Sequence, residues 1–132
     1  MATINITEVK ETGTASSLSS CDTGGDEFRN SGVEFLRVEN QHASQAYSVT
    51  VEAQTTGLDH PSYGTLTKGS AVKSVVAGQS IFLGPFKQRA FNDSDQKVQV
   101  SYLTTGGAAI STISSGAHAL KIEVLYLKQS LY

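Results

Sequence analysis

Tryptophan is absent from this chain, proline occurs twice and cysteine once. Each scarcity removes a class of protein. With no second thiol, Cys21 has no internal disulfide partner, so the fold does not rest on a covalent staple. No apolar run approaches the roughly 18 residues that a membrane-spanning helix needs. Residues 1–6 lack the basic segment and apolar core of a secretory signal, so synthesis in the cytoplasm is expected. Ten basic residues against twelve acidic ones leave a net charge of −2, with no Lys/Arg cluster. That balance argues against a nucleic-acid binder, which needs a basic footprint.

What is abundant is Gly, Ser and Thr, set between short runs of Val, Ile, Leu and Tyr, a composition suited to strands and turns. At 132 residues the chain has the size of one domain, 1–132, able to bury a core of its own. The stretch 72–103 carries the pattern most plainly. Val72–Val76 and Ser80–Leu83 are β-branched or apolar runs parted by Ala77-Gly78-Gln79, and Gly84-Pro85 closes the second. Val98, Val100 and Tyr102 then alternate with Lys97, Gln99 and Ser101, the period of a strand with one wet face.

The same alternation predicts a first strand over 3–9, serving either as an edge strand or as an N-terminal arm (1–10) reaching a neighbour. It predicts further strands over 32–40 and 46–55, joined as a hairpin, and a weak strand over 108–113. Phe35-Leu36 breaks strict alternation, which calls for a bulge or for apolar contact on both faces. Residues 11–31 read as a long polar loop that either pairs weakly around 17–21 or lies on a partner, and 56–69 read as another loop. The last segment fits two templates. Its strand reading, with His118, Leu120, Ile122, Val124 and Tyr126 on one face, is preferred because no capping box precedes it. The expected architecture is all-β: a two-sheet antiparallel sandwich of seven to nine strands, jelly-roll or Ig-like.

Residues that could carry chemistry do not converge. His42, His60 and His118 show no close ligand spacing, so no metal site is expected. Asn92-Asp93-Ser94-Asp95 and the acidic knot 22–27 do not complete a calcium loop, and Asx turns account for Asn92 and Asp93. Glu34, Glu39, Glu52 and Glu123 fall on outward strand phases and read as a solvated face, not as a hydrolytic pair. No Gly-x-Ser-x-Gly elbow or phosphate-binding loop occurs, and Cys21 has no local His to activate it. No catalytic residue, cofactor or enzyme activity is expected.

Ala77-Gly78-Gln79-Ser80, Gly84-Pro85-Phe86, Phe91-Asn92-Asp93 and Val98-Gln99-Val100-Ser101-Tyr102 together resemble small β-sandwich proteins of tailed bacteriophages, among them capsid decoration, or cement, proteins. The resemblance covers the central third of the chain and is a pattern of turns and hydrophobics. It implies a structural virion protein on the capsid surface, made in the host cytoplasm. Such a protein binds major capsid protein subunits and forms a homo-oligomer, dimer or trimer, without nucleic acid or membrane. Residues expected at such contacts are Ile4, Ile6, Leu18, Phe28, Tyr63, Leu131 and Tyr132. The alternative is a carbohydrate- or receptor-binding module of a phage tail or surface protein, for which Tyr63 would be an exposed platform and the missing Trp a handicap.

Overall fold

A computed structural model describes residues 2–22, 24–54, 58–60, 64–66, 69–105 and 120–127, with 58–60 and 64–66 described through their backbone. In chain order its elements are β1 (Ala2–Thr3), β2 (Ile6–Val9), β3 (Ser19–Ser20), β4 (Asp26–Arg29), β5 (Phe35–Asn40) and β6 (Tyr47–Val51). There follow β7 (Leu58–His60), β8 (Gly64–Leu66), β9 (Ala71–Val75), β10 (Ser80–Leu83), the single helical turn α1 (Gln88–Phe91), β11 (Lys97–Thr104) and β12 (Leu120–Leu127).

Two sheets face each other. One runs β1-β4-β11-β6-β9; the other runs β10-β5-β12-β2, with β3 also paired to β12. Take the eight strands β3, β4, β5, β6, β9, β10, β11 and β12 as first to eighth. The first, eighth, third and sixth then form one sheet, and the second, seventh, fourth and fifth the other, all antiparallel. That order is the jelly roll, which settles the choice against an Ig-like arrangement.

Alternation builds the interior. Leu36 and Val38 on β5 meet Ile122 and Val124 on β12, opposite Val49 and Val51 on β6 and Val98 and Val100 on β11; all are at most 1% exposed. Side chains of this kind each stabilise the fold by about 1.5–3 kcal/mol when fully removed from water. Two buried asparagines tie down the crossings at the ends. Asn40 Nδ2 donates to the carbonyls of Gln45 (2.7 Å) and Val75 (3.0 Å). Asn30 Nδ2 donates to the Phe86 carbonyl (3.0 Å) and to Asn92 Oδ1 (2.7 Å).

Several expectations are corrected. The strands at 32–40 and 46–55 are present as β5 and β6, but they lie in opposite sheets, so their link crosses the sandwich instead of closing a hairpin. Within 11–31 the weak pairing expected around 17–21 is present as β3, but β4 is a correction: the acidic knot conceals a strand because Asp26 and Phe28 both point inward. The 56–69 stretch contains the β7–β8 ladder. Residues 2–9 do not project as an arm: β1 pairs parallel with β4 and β2 parallel with β12, so the chain's first strand switches sheets at residues 4–5. The closing segment is a strand over 120–127, as preferred, whereas the weak strand expected at 108–113 lies outside the described residues.

Candidate interaction surface

The outer face of the β10-β5-β12-β2 sheet is divided into a polar and an apolar half. In the polar half, Glu123 is buried at 3% exposure, contrary to its expected solvated role. The reason is that residues 10–18 fold back over their own sheet. Ser16 Oγ (2.9 Å) and Ser17 N (2.9 Å) donate to the Glu123 carboxylate, and Arg37 Nη1 pairs with it at 3.1 Å. Burial alone would raise Glu123; the Ser17, Arg37 and Ser16 donors outweigh it and hold the carboxyl below its ordinary value. Glu34 is likewise buried, not solvated. Burial pushes it up, but Ser31 N (2.8 Å), Ser31 Oγ (2.7 Å) and Val33 N (3.3 Å) donate to it and the net shift is downward. Glu39 and Glu52 do face outward.

The apolar half begins where that cover stops. Phe82 on β10 is 64% exposed, with its ring 6.2 Å from that of Phe35 on β5. Phe35 pairs across the ladder with Leu125, and two residues further along β12 Leu127 is 60% exposed beside its partner Val9. Val33, 48% exposed, precedes β5. Phe35-Leu36 therefore reflects apolar contact on both faces: Leu36 enters the core while Phe35 joins this outer patch, in an unbroken ladder. The outer face of the other sheet exposes Val72 (62%) and Leu103 (39%) towards β9, while its β4–β11 side is polar. There Glu27 accepts from Lys97 Nζ (3.1 Å) and Gln99 Nε2 (2.9 Å), which with burial opposing them hold it below its usual value.

Of the residues expected at contacts, Phe28 is corrected: it is 0% exposed, a core side chain against Phe86, because β4 turns it inward. Ile4 and Ile6 are half-buried and pack on the core edge, and Leu18 is half-buried in the covering segment. Tyr63, Leu131 and Tyr132 lie outside the described residues. Sequence reasoning missed Phe82, which sits on the outward phase of a short run; the signal was its alternation with core-facing Ile81.

A second feature is a cleft of about 290 Å³ where the chain switches sheets, lined by Thr3, Asn5, Thr7, Ser17, Ser19, Ser20, Ile4 and Asp26. Asp26, 1% exposed, accepts from the Tyr102 hydroxyl at 2.5 Å and from Asp22 N at 3.2 Å, and burial raises its carboxyl above the usual range. Burial also pushes Tyr102 up, and the Cys21 thiol beside it to about 12, so Cys21 is a packed, unreactive group. The expected Asx turn is present at Asp93, whose Oδ1 accepts from Asp95 N (2.8 Å) and Lys97 N (3.0 Å), but not at Asn92, whose side chain instead donates to the Asn30 carbonyl (3.0 Å) and accepts from Asn30 Nδ2 (2.7 Å). His42 serves a turn too, its Nδ1 accepting from Ser44 N and Gln45 N at 3.1 and 2.8 Å. Among the described residues, no three His, Cys, Asp or Glu side chains gather as metal ligands, and no helix is long and apolar enough to cross a membrane. No family model matches the chain, and neither the curated proteins nor the solved structures contain a significant match to it.

Proposed function

We propose that this chain is a structural virion protein of a tailed phage. It docks on the outside of an assembled shell of major capsid protein and bridges neighbouring subunits. The observation that supports this reading is the apolar half-face of Phe82, Phe35, Leu127 and Val33, presented on a rigid two-layer body. Three of those side chains are about half exposed or more, which is unfavourable in water unless another surface covers them. The task needs adhesion and shape, not turnover. A protein that binds only the assembled shell stabilises that shell by linkage, and many copies multiply a modest contact.

The test is co-sedimentation of the purified chain with preformed shells of the major capsid protein encoded alongside it. Wild type is expected to pellet with the shells, and the Leu127→Ser, Val33→Ser double variant to remain in the supernatant while keeping its fold. Equal pelleting of the two, or none by wild type, would overturn the reading. A carbohydrate- or receptor-binding role is the second reading, and the hydroxyl-lined cleft around Asp26 is what favours it. Saturable binding to a glycan, lost on Ser19→Ala, Asn5→Ala substitution, would establish that role instead.

A further inference from the structure

Each sheet of an open sandwich has two edge strands, and an unpaired edge invites another strand unless it is short, charged or interrupted. On the β1-β4-β11-β6-β9 sheet, β1 is two residues long. At its other edge, β9 carries an exposed Lys73, paired with Val49, whose charge resists a neighbouring strand. On the second sheet, the β2 edge carries Glu8 and is followed by Lys10, and β3 is two residues long. The fourth edge differs. β10 is Ser80-Ile81-Phe82-Leu83, with no charge and no proline, and among the described residues it pairs only with β5.

We infer that β10 is a dimerisation edge, pairing antiparallel with β10 of a second copy about a two-fold axis. The choice of a second copy follows from the strand's own chemistry. A neutral edge meets an identical neutral edge without repulsion, and the antiparallel ladder is self-complementary under a two-fold. Antiparallel neighbours also present the same face, so the two exposed Phe82 side chains lie side by side and cover each other. A two-fold contact closes on itself, which turns an edge prone to open-ended aggregation into a defined pair. The outer faces of the two copies then share one side of a continuous sheet, and the apolar half-faces around Phe35 and Leu127 form a single two-footed plate. The dimer is a property of the isolated chain; the use of that plate on a shell rests on the function proposed above.

Sedimentation equilibrium of the purified chain, without any capsid present, tests it. At about 100 μM, a concentration that populates even a small interface, wild type is expected at twice the 14.0 kDa chain mass. Phe82→Glu sets like charges together across the two-fold. Ser80→Lys places a guarding charge on the edge at an exposed site that leaves the core untouched. Both are expected at monomer mass with wild-type circular dichroism, whereas Val72→Glu on the β9 edge is expected to remain dimeric. A monomeric wild type, or a Ser80→Lys variant that dimerises like wild type, overturns the inference. Neither result touches the shell-binding test, which reads pelleting by the Leu127/Val33 face.

Discussion

Replacing Glu123 with alanine removes the carboxylate that holds Ser16 and Ser17 against the sheet, leaving Arg37 Nη1 still donating to Ser16 Oγ at 2.8 Å. Three interactions end at its carboxylate: Ser16 Oγ and Ser17 N at 2.9 Å each, and Arg37 Nη1 at 3.1 Å. Hydrogen bonds to a charged group contribute about 1.5–3 kcal/mol apiece when both partners are buried. Here Ser16 and Ser17 are exposed and Arg37 is 24% exposed, so all three can turn to water once the carboxylate is gone. Arg37 also keeps a second carboxylate, Glu39, at 3.8 Å. The expected loss is therefore about 2–4 kcal/mol, less than the full sum, and urea titration reads it as a lower midpoint with an unchanged slope. Glu123→Gln should lose about half as much, since one amide oxygen still accepts while its N–H₂ group faces the Ser17 N–H. Limited proteolysis supplies the local readout: cleavage within 10–18 should quicken in both variants before the core is cut. A loss below about 0.5 kcal/mol, within the range of ordinary surface substitutions, together with unchanged cleavage would show that the segment is held by something else.

Other outcomes follow from the same geometry. Tyr102→Phe deletes the hydroxyl donor to Asp26 Oδ2 and is expected to destabilise by about 1–3 kcal/mol, because a buried carboxyl keeps only the longer bond from Asp22 N. Asp26 is raised in the folded state, so its contribution is complete below the ordinary carboxyl range and is lost as pH rises through the folded value. The Tyr102→Phe penalty should therefore be larger at about pH 7 than at about pH 4, as chemical denaturation at the two values would register. Glu34 and Glu123 are lowered, and their sign is opposite. Their stabilisation is whole above the ordinary value of 4.5 and drains as pH falls through the lower folded values, so wild type should show its main acid loss below that point. Gly84→Ala is expected to cost about 2–4 kcal/mol in thermal or urea unfolding. Its φ of +114° disfavours any side chain, and a Cβ there would lie 3.1 Å from the Phe35 Cα. The Cys21 thiol should react with a disulfide reagent only as fast as the protein unfolds, and full labelling of the native protein within minutes would contradict its burial.

The strands that alternate cleanly were legible because one face of each meets the core and the other meets water. Val98, Val100 and Tyr102 on β11 and Tyr47, Val49 and Val51 on β6 are of this kind. β4 was illegible because its inward phase holds Asp26, whose burial depends on a tyrosine 76 residues away, a pairing that local pattern cannot reveal. Glu123 misled for a related reason. Its phase does point away from the core, but a polar segment from the other end of the chain covers that face, so outward and wet are not the same there. The β5–β6 link could close a hairpin or cross the sandwich; periodicity reports which face a residue takes, not which neighbour its strand takes. The surface patch was missed because an outward phenylalanine in a short apolar run looks like core until the layer beyond it is known to be missing.

The position of β12 sets an order on how the molecule comes into being. It is an inner strand of its sheet, paired on one side with residues 35–40 and on the other with 19–20 and 6–9. During translation β5 and β10 can pair once both have emerged, but nothing joins them to β2 or β3 until residues 120–127 leave the ribosome. That sheet must wait for β12, so a stalled or shortened nascent chain ending before Leu120 would hold all strands of the other sheet, within residues 2–104, but leave β2 and β3 unpaired and the core open to chaperones and proteases.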